Sequence, residues 1–288
     1  MTIAATADLV AAAVASGTAV PAFNVITIEH AEGIAAGAEQ AGTAAILQIS
    51  ENTIAFHDGR MAPLVAACAQ IAAAAGVGVA LHLDHLQDTG LITEAITVAA
   101  QLGVTSIMVD AAHLPYADNV ETTRGLTRDA HAAGLWVEAE LGEIGGKGNA
   151  HTPGARTDPD EAASFVAATG VDALAVAVGS SHAMTTRDAH LDHQLIGALA
   201  AVVPVPLVLH GSSGVGDEQL RGATEAGIRK VNIGTALNIA YTSGVREVLR
   251  KDPSKSDPRP YLAIARQAVT DTVEDLCRVV TTTRAGAR

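Results

Sequence analysis

Three of the chain's eleven histidines directly follow or end short apolar runs: His85 in His82-Leu83-Asp84-His85, His182 in Gly179-Ser180-Ser181-His182, and His210 in His210-Gly211-Ser212-Ser213-Gly214. Imidazole is a common ligand of divalent metals. Three such rings with a fourth position left open describe a catalytic zinc site rather than a closed structural one. Asp84, next to His85, adds a carboxylate with two alternative uses: to take and return a substrate proton, or to orient a ligand histidine. The competing reading of each histidine is an ordinary hydrogen-bonded loop residue. The choice depends on whether the chain brings three distant segments to one place.

The elements that must do so are legible as alternating runs. Eight short, mostly apolar stretches read as strands buried on both faces: Val20–Val25, Ala44–Ser50, Val77–Asp84, Ser106–Asp110, Leu135–Leu141, Ala173–Gly179, Pro206–His210 and Lys230–Gly234. Between them Glu29–Ala41, Ala62–Ala75, Leu91–Leu102, Asn119–Ala133, Pro159–Thr169, Asp192–Val202 and Asp217–Ala226 read as helices. Asp158 and Asp217 suit N-caps and Pro159 a first helical position. Gly42, Gly76, Gly103, Gly134, Gly170 and Gly227 suit left-handed C-terminal caps. Eight strand–helix units without a break in composition predict one α/β domain over residues 1–288, a closed (β/α)8 TIM barrel over about 18–250. The open doubly wound alternative calls for a Gly-rich GxGxxG after an early strand, and there is none. Residues 251–260 read as a polar loop, and an additional C-terminal helix follows within about 258–280 (Tyr261–Val280), suited to subunit contact. In such a barrel, reactive groups project from the C-terminal ends of the strands, where the three histidines lie.

Composition narrows the partners. A net charge of −13 without any run of Lys and Arg argues against nucleic acid and acidic membranes, while leaving a small anionic substrate open. Cys68 and Cys277 lack CxxC spacing and read as buried free thiols. Residues 1–17 carry Asp8 and no basic residue, unlike a signal peptide, and no segment approaches 18 uninterrupted apolar residues, so a soluble cytoplasmic protein is the expectation. The four lysines speak against imine chemistry. Lys230 opens the eighth run, at the end of the barrel away from the histidines, and Lys147 lies in a glycine loop where it is not easily desolvated.

Taken together and in order, several segments resemble the class II, zinc-dependent ketose-bisphosphate aldolases, the fructose- and tagatose-bisphosphate branch, over about Val20 to Arg266. They are PAFNV (Pro21–Val25), HLDH (His82–His85), SIMVDAAHLP (Ser106–Pro115), EAELGEIGG (Glu138–Gly146), TDP (Thr157–Pro159), ALAVAVGSSH (Ala173–His182), LVLHGSSG (Leu207–Gly214), KVNIGT (Lys230–Thr235) and DPRPYL (Asp257–Leu262). The resemblance implies one zinc ion on His85, His182 and His210, with Asp84 handling the proton of the substrate C4 hydroxyl. It implies a lyase that reversibly cleaves a phosphorylated ketose to dihydroxyacetone phosphate, or a close analogue, and an aldehyde. Zinc would act as a Lewis acid on the carbonyl and stabilise the enediolate left by C3–C4 cleavage. By the same resemblance Gly211, Ser213 and Thr235 contact a substrate phosphate, Asn232 meets the ketone-side hydroxyls, and Ser50 joins the site. Glu140, the preferred member of the Glu138/Glu140 pair, is a second metal position or a buried acid. A monovalent cation near the phosphate and a homodimer or homotetramer complete the expectation.

Three departures concern the substrate's surroundings. The loop after the fifth strand has no carboxylate following Gly145 and Gly146; Glu143 and His151 are the nearby substitutes. Ala183 stands where the resemblance calls for glycine, and Ile26 and Thr27 replace a second asparagine after the first strand. They predict kept metal chemistry on a substrate other than a standard ketose 1,6-bisphosphate, carrying one phosphate or a different aldehyde half. A non-catalytic binding or regulatory paralogue is the alternative from another class. A barrel metallohydrolase is disfavoured because the first strand ends Phe23-Asn24-Val25 rather than in H-x-H. His190 and His193 read as solvated.

Overall fold

The computed structural model describes residues 3–141, 156–182 and 184–282. Eight parallel strands close a barrel in sequential order. They are β1 (Val20–Asn24), β2 (Ala45–Ser50), β3 (Val79–Leu86), β4 (Ser106–Val109), β5 (Trp136–Glu140), β6 (Ala173–Ala175), β7 (Leu207–Leu209) and β8 (Ile228–Ile233). The helices are α1 (Thr6–Ser16), α2 (Ile28–Ala41), α3 (Glu51–Phe56), α4 (Met61–Ala74), α5 (Thr89–Leu102), α6 (Tyr116–Ala132), α7 (Pro159–Thr169), α8 (His193–Val202), α9 (Asp217–Ala226), α10 (Thr235–Lys251) and α11 (Arg259–Thr281). The barrel and the C-terminal helix stand as expected. Sequence reasoning did not assign α1, α3 and α10.

Several boundaries differ for physical reasons. β6 stops at Ala175 because Ala177 turns to take Thr157 as its hydrogen-bond partner, its N–H donating to Thr157 Oγ1 at 2.8 Å. β8 begins at Ile228 rather than Lys230. Gly216, not Asp217, is the N-cap of α9; Asp217 is its first residue, where a carboxylate still suits the positive end of the helix dipole. Gly42, Gly103 and Gly170 end their helices in the left-handed conformation. Gly76 does not, because α4 leaves directly through extended Ala75, and Gly227, at φ 138°, lies outside the left-handed helical region. Cys68 and Cys277 are free and buried, and burial pushes their thiols up to about 12 and about 11. No helix among the described residues is long and apolar enough to cross a membrane.

Strand alternation sorts the barrel interior into layers. Val20, Ala22, Ile46 and Ala80 form an apolar floor with Val10 and Leu9, so α1 plugs the bottom. One step up, alternate positions are polar and fully buried: Gln48, His82, Ser106, Glu138 and Lys230. Register confirms the layer, with Gln48 beside His82 and His82 beside Ser106. Above it come Asn24, Asp84, Glu140, His210 and Asn232. Outside the barrel, the other strand faces pack against the helices in one continuous apolar core.

α11 lies along α2 and α10 of its own chain. Close approach needs glycine: a Cβ on Gly37 would meet Thr270 O at 2.5 Å and Val273 Cβ at 2.7 Å. Gly37→Ala is therefore expected to lower stability by about 1–3 kcal/mol through overpacking, against a propensity gain of about 1 kcal/mol. Gly125→Ala, on α6 with nothing within 4 Å of the new Cβ, supplies the control and should gain up to about 1 kcal/mol. Urea unfolding of the two variants measures the opposite shifts.

Candidate metal centre

Adjacent residues of a regular strand point to opposite faces, so Asp84 and His85 should not share a site. A bulge brings them together. The β3–β4 pairing runs from Leu83↔Ile107 to Leu86↔Val109, one extra residue on β3. His85 takes up the difference at φ 51°, a left-handed conformation that costs a non-glycine residue about 1–3 kcal/mol. Its Nδ1 is 2.9 Å from Asp110 Oδ2, which anchors the ring in that pose. Asp84 and His85 thus both line one open cavity of about 910 Å³ above the C-terminal ends of the strands.

His182 and His210 meet His85 there. The ring centroids are 4.6 Å (His85–His210), 5.1 Å (His85–His182) and 5.7 Å (His182–His210) apart, each pair close to perpendicular. One ligand atom from each of His85, Glu140, His182 and His210 lies within 4.8 Å of the others. Glu140 Oε2 is 3.9 Å from His210 Nδ1. The carboxylates behind the rings set their roles. Asp110 takes His85 Nδ1–H and Glu138 Oε1, at 2.8 Å, takes His210 Nε2–H. This leaves His85 Nε2 and His210 Nδ1 facing one another at 2.9 Å with their lone pairs. Two acceptor nitrogens at that separation repel unless a shared proton or a metal cation lies between them. Burial lowers the pKa of His210, which disfavours the proton. The donor set, three imidazoles and a carboxylate, suits a divalent ion such as zinc.

Asp84 is buried beside the cluster. Asn24 Nδ2 donates to its Oδ2 at 2.9 Å, and Asn232 Nδ2 is 3.5 Å from its Oδ1. Burial works against its charged form, but coupling to His85, His210, His82 and Lys230 favours it and holds the carboxyl well below the usual range. Glu138 behaves alike: burial is overcome by the Lys230 ammonium and the His210 hydrogen bond, taking it to about 2. Buried His82 falls to about 3, mainly by desolvation, so its ring is neutral; Nδ1 pairs with Ser106 Oγ at 2.8 Å.

The opposite wall suits an anion. A 3₁₀ turn (Ser212–Gly214) follows Gly211, whose φ is 65° and whose Cβ, if present, would lie 2.5 Å from Ser181 O. α10 starts at Thr235, so the phosphate-type loop read from sequence gains a helix N-terminus, whose exposed N–H groups favour negative charge. Gly211, Ser213, Asn232, Gly234 and Thr235 all line the cavity. Ser213 Oγ accepts Ala236 N–H at 3.1 Å and holds the two loops together. Ser50 also lines the cavity, as the N-cap of α3, its Oγ accepting Thr53 N–H at 3.2 Å.

Every expected site residue among those described therefore comes together: His85, His182, His210, Asp84, Glu140, Ser50, Gly211, Ser213, Asn232 and Thr235. Glu143, Lys147, His151 and Ala183 lie outside the described residues. Two readings need correction. Lys230 is not at the far end of the barrel: β8 starts two residues earlier, and Lys230 is fully buried at mid-height. His193 is half-buried rather than solvated, its Nε2 3.1 Å from Gln219 O. Sequence reasoning missed Asp110 and gave no role to Asn24; both are polar residues at strand ends, the signal that it used for the histidines.

Comparison with known proteins agrees over the whole chain. A family model described as fructose-bisphosphate aldolase class-II matches residues 4–284. Among solved structures, the YdjI aldolase from Escherichia coli K12 is 29% identical, with a TM-score of 0.83 and 97% of each chain covered. A putative fructose-1,6-biphosphate aldolase from Coccidioides immitis is 30% identical, TM-score 0.84, covering 96% of this chain and 95% of its own. The fructose-bisphosphate aldolase of Campylobacter jejuni shares the fold at 23% identity and a TM-score of 0.78, covering 97% and 95%. His210→Ala deletes the ring that faces both His85 and Glu140. Zinc per chain, measured by mass spectrometry of metals after gel filtration, is expected to fall from about one to near zero; unchanged content would refute the centre.

Proposed function

The chain belongs to the class II fructose-bisphosphate aldolase family, and on that footing we propose that it is a zinc-dependent aldolase cleaving a phosphorylated ketose to dihydroxyacetone phosphate and an aldehyde. One observation carries the reading: His85 and His182 of the four-residue donor cluster, Asp84 and an anion-favouring loop pair line one cavity. His85, His182 and His210 would hold the metal, with Glu140 as a further or alternative donor. The bound ion would supply Lewis-acid polarisation of the carbonyl and offset the negative charge that develops as the carbon–carbon bond breaks.

The chain's own residues do the rest. Asp84, ionised at neutral pH and held by Asn24, is placed to take the hydroxyl proton of the carbon that becomes the aldehyde and to return it in the condensation direction. Asn232 Nδ2 points into the same space and orients the ketone-side hydroxyls. Gly211, Ser213 and the start of α10 bind the phosphate through backbone N–H groups and hydroxyls. Homodimer or homotetramer formation belongs to the same reading and is measurable by light scattering.

The rest of the described cavity lining shapes the substrate. It presents Ile26, Asn52, Phe56, Gln87 and His113, and no lysine or arginine is among the described residues that line the cavity. Phe56 leaves 67% of its surface exposed at that rim. We therefore read the aldehyde half as one without a phosphate.

The test is release of dihydroxyacetone phosphate from a panel of ketose 1-phosphates and 1,6-bisphosphates by the zinc-loaded protein. Monophosphates should be preferred; efficient turnover of fructose or tagatose bisphosphate would sink the substrate assignment. Absence of aldol cleavage across a broad panel would sink the activity itself. Asp84→Asn should lower kcat by about 10²–10⁴-fold, the usual worth of a proton-transfer group, while zinc content stays at about one per chain.

A further inference from the structure

Lys230 is a charged side chain closed off inside the barrel. Its side chain is fully buried, and its Nζ donates to Glu138 Oε2 at 2.8 Å and to Asn232 Oδ1 at 2.7 Å. It does not line the cavity, so it reaches substrate only through its neighbours. A buried ion pair is weak as a source of stability, and well-packed apolar residues often replace one at no loss. A cation kept here calls for another explanation.

Two groups beside it are ambiguous by themselves. The two ends of an asparagine amide are nearly the same shape, so packing alone does not choose between its flips. Likewise, His210 Nε2 has two neighbours of opposite character: Glu138 Oε1 at 2.8 Å, which accepts, and Asn232 Nδ2 at 3.0 Å, which donates. A protonated Nε2 suits the first and an unprotonated Nε2 the second. Only one of these tautomers leaves His210 Nδ1 with a lone pair facing His85 Nε2.

We propose that Lys230 is the positioning residue of this site, whose ammonium sets both the flip of the Asn232 amide and the tautomer of His210. Lysine has only donors, so the atom of Asn232 that faces it is Oδ1, and Nδ2 is turned to Asp84. It also donates to Glu138 Oε2 and so holds that carboxylate with Oε1 against His210 Nε2. Glu138 therefore draws the proton to His210 Nε2 and leaves Nδ1 for the metal. One ammonium thus orients a proposed ligand and a proposed substrate contact from beneath. Without it, the Glu138 carboxylate and the Asn232 amide each lose the partner that fixes their orientation, so the contacts that set His210 Nε2 are no longer held.

The inference rests on the metal reading, and zinc affinity tests both. Competition with a chromophoric chelator is to be run on the full-length wild-type chain, Lys230→Met, Glu138→Gln and the double variant, with circular dichroism to establish folding. Lys230→Met should bind zinc about 10- to 100-fold more weakly, the range typical for loss of a group that supports a ligand. The double variant should be no weaker than the weaker single, because the two residues act as one unit. The visible spectrum of the cobalt-substituted protein should shift in Lys230→Met, reporting changed His210 coordination. Folded Lys230→Met with wild-type zinc affinity and an unchanged cobalt spectrum would overturn the proposal, as would additive losses in the double variant. If Lys230→Met does not fold, the neutral double variant decides alone: wild-type affinity overturns the assignment, and a loss of at least about 10-fold supports it. A wild-type chain that binds no zinc would instead retire the metal reading, and this inference with it.

Discussion

A cation at the centre of a barrel has no water to stabilise it, so the surrounding strands must supply its counter-charge and acceptors. Lys230 meets Glu138 from β5 and Asn232 from its own strand, and Glu138 in turn meets His210 just beyond β7. The polar middle layer is therefore one connected network rather than a set of independent groups. Each member constrains the next: the carboxylate orients the ring, and the amide turns its donor end to Asp84. The apolar floor beneath, sealed by α1, excludes solvent from that layer and keeps these interactions strong. Shape and charge in the upper cavity thus depend on a pairing that no substrate touches.

The network does not account for His85. That ring is brought to the cluster by a different device, an extra residue in β3 and a left-handed φ of 51°. The backbone strain, about 1–3 kcal/mol, has to be offset by neighbouring contacts, and the His85–Asp110 hydrogen bond is the evident one. The result is that two consecutive residues, a candidate base and a candidate ligand, face the same space. A regular strand would deliver only one of them. Strain placed at this point is a consequence of function being asked of residues 84 and 85 together.

These two devices differ in how visible they are in sequence. The eight strands were legible because parallel strands buried on both faces read as unbroken apolar runs, and the strand-end rule then gathered His85, His182, His210 and Asp84. Depth within the barrel was not legible. Reading the eighth strand from Lys230 instead of Ile228 shifts its start by two residues, which moves a side chain from the bottom of the barrel to the middle layer. Glu138 and Glu140 share a face by alternation, yet one supports a ring from below and the other joins the cluster; only register separates them. The bulge leaves no trace in composition, since an inserted residue in a strand is still a strand residue. α10 was missed because its first turn, Thr235-Ala236-Leu237, reads equally well as the end of the preceding loop.

Charge completes the picture. A chain with a net charge of −13 repels anions at long range, and the described cavity lining adds no lysine or arginine to counter this. On the proposed reading, attraction to a phosphate would therefore be local, from backbone N–H groups after β7, the hydroxyls of Ser213 and Thr235, and the start of α10, which carries roughly half a positive charge. Such an arrangement recognises an anion at one place and at close range. Among the described residues, Ile26 and Phe56 offer nothing equivalent, and their apolar surface would instead be rewarded by covering it with an uncharged group. On the proposed reading, the polar wall and the partly apolar wall would give the substrate a direction, its phosphate towards α10 and its aldehyde half towards Phe56.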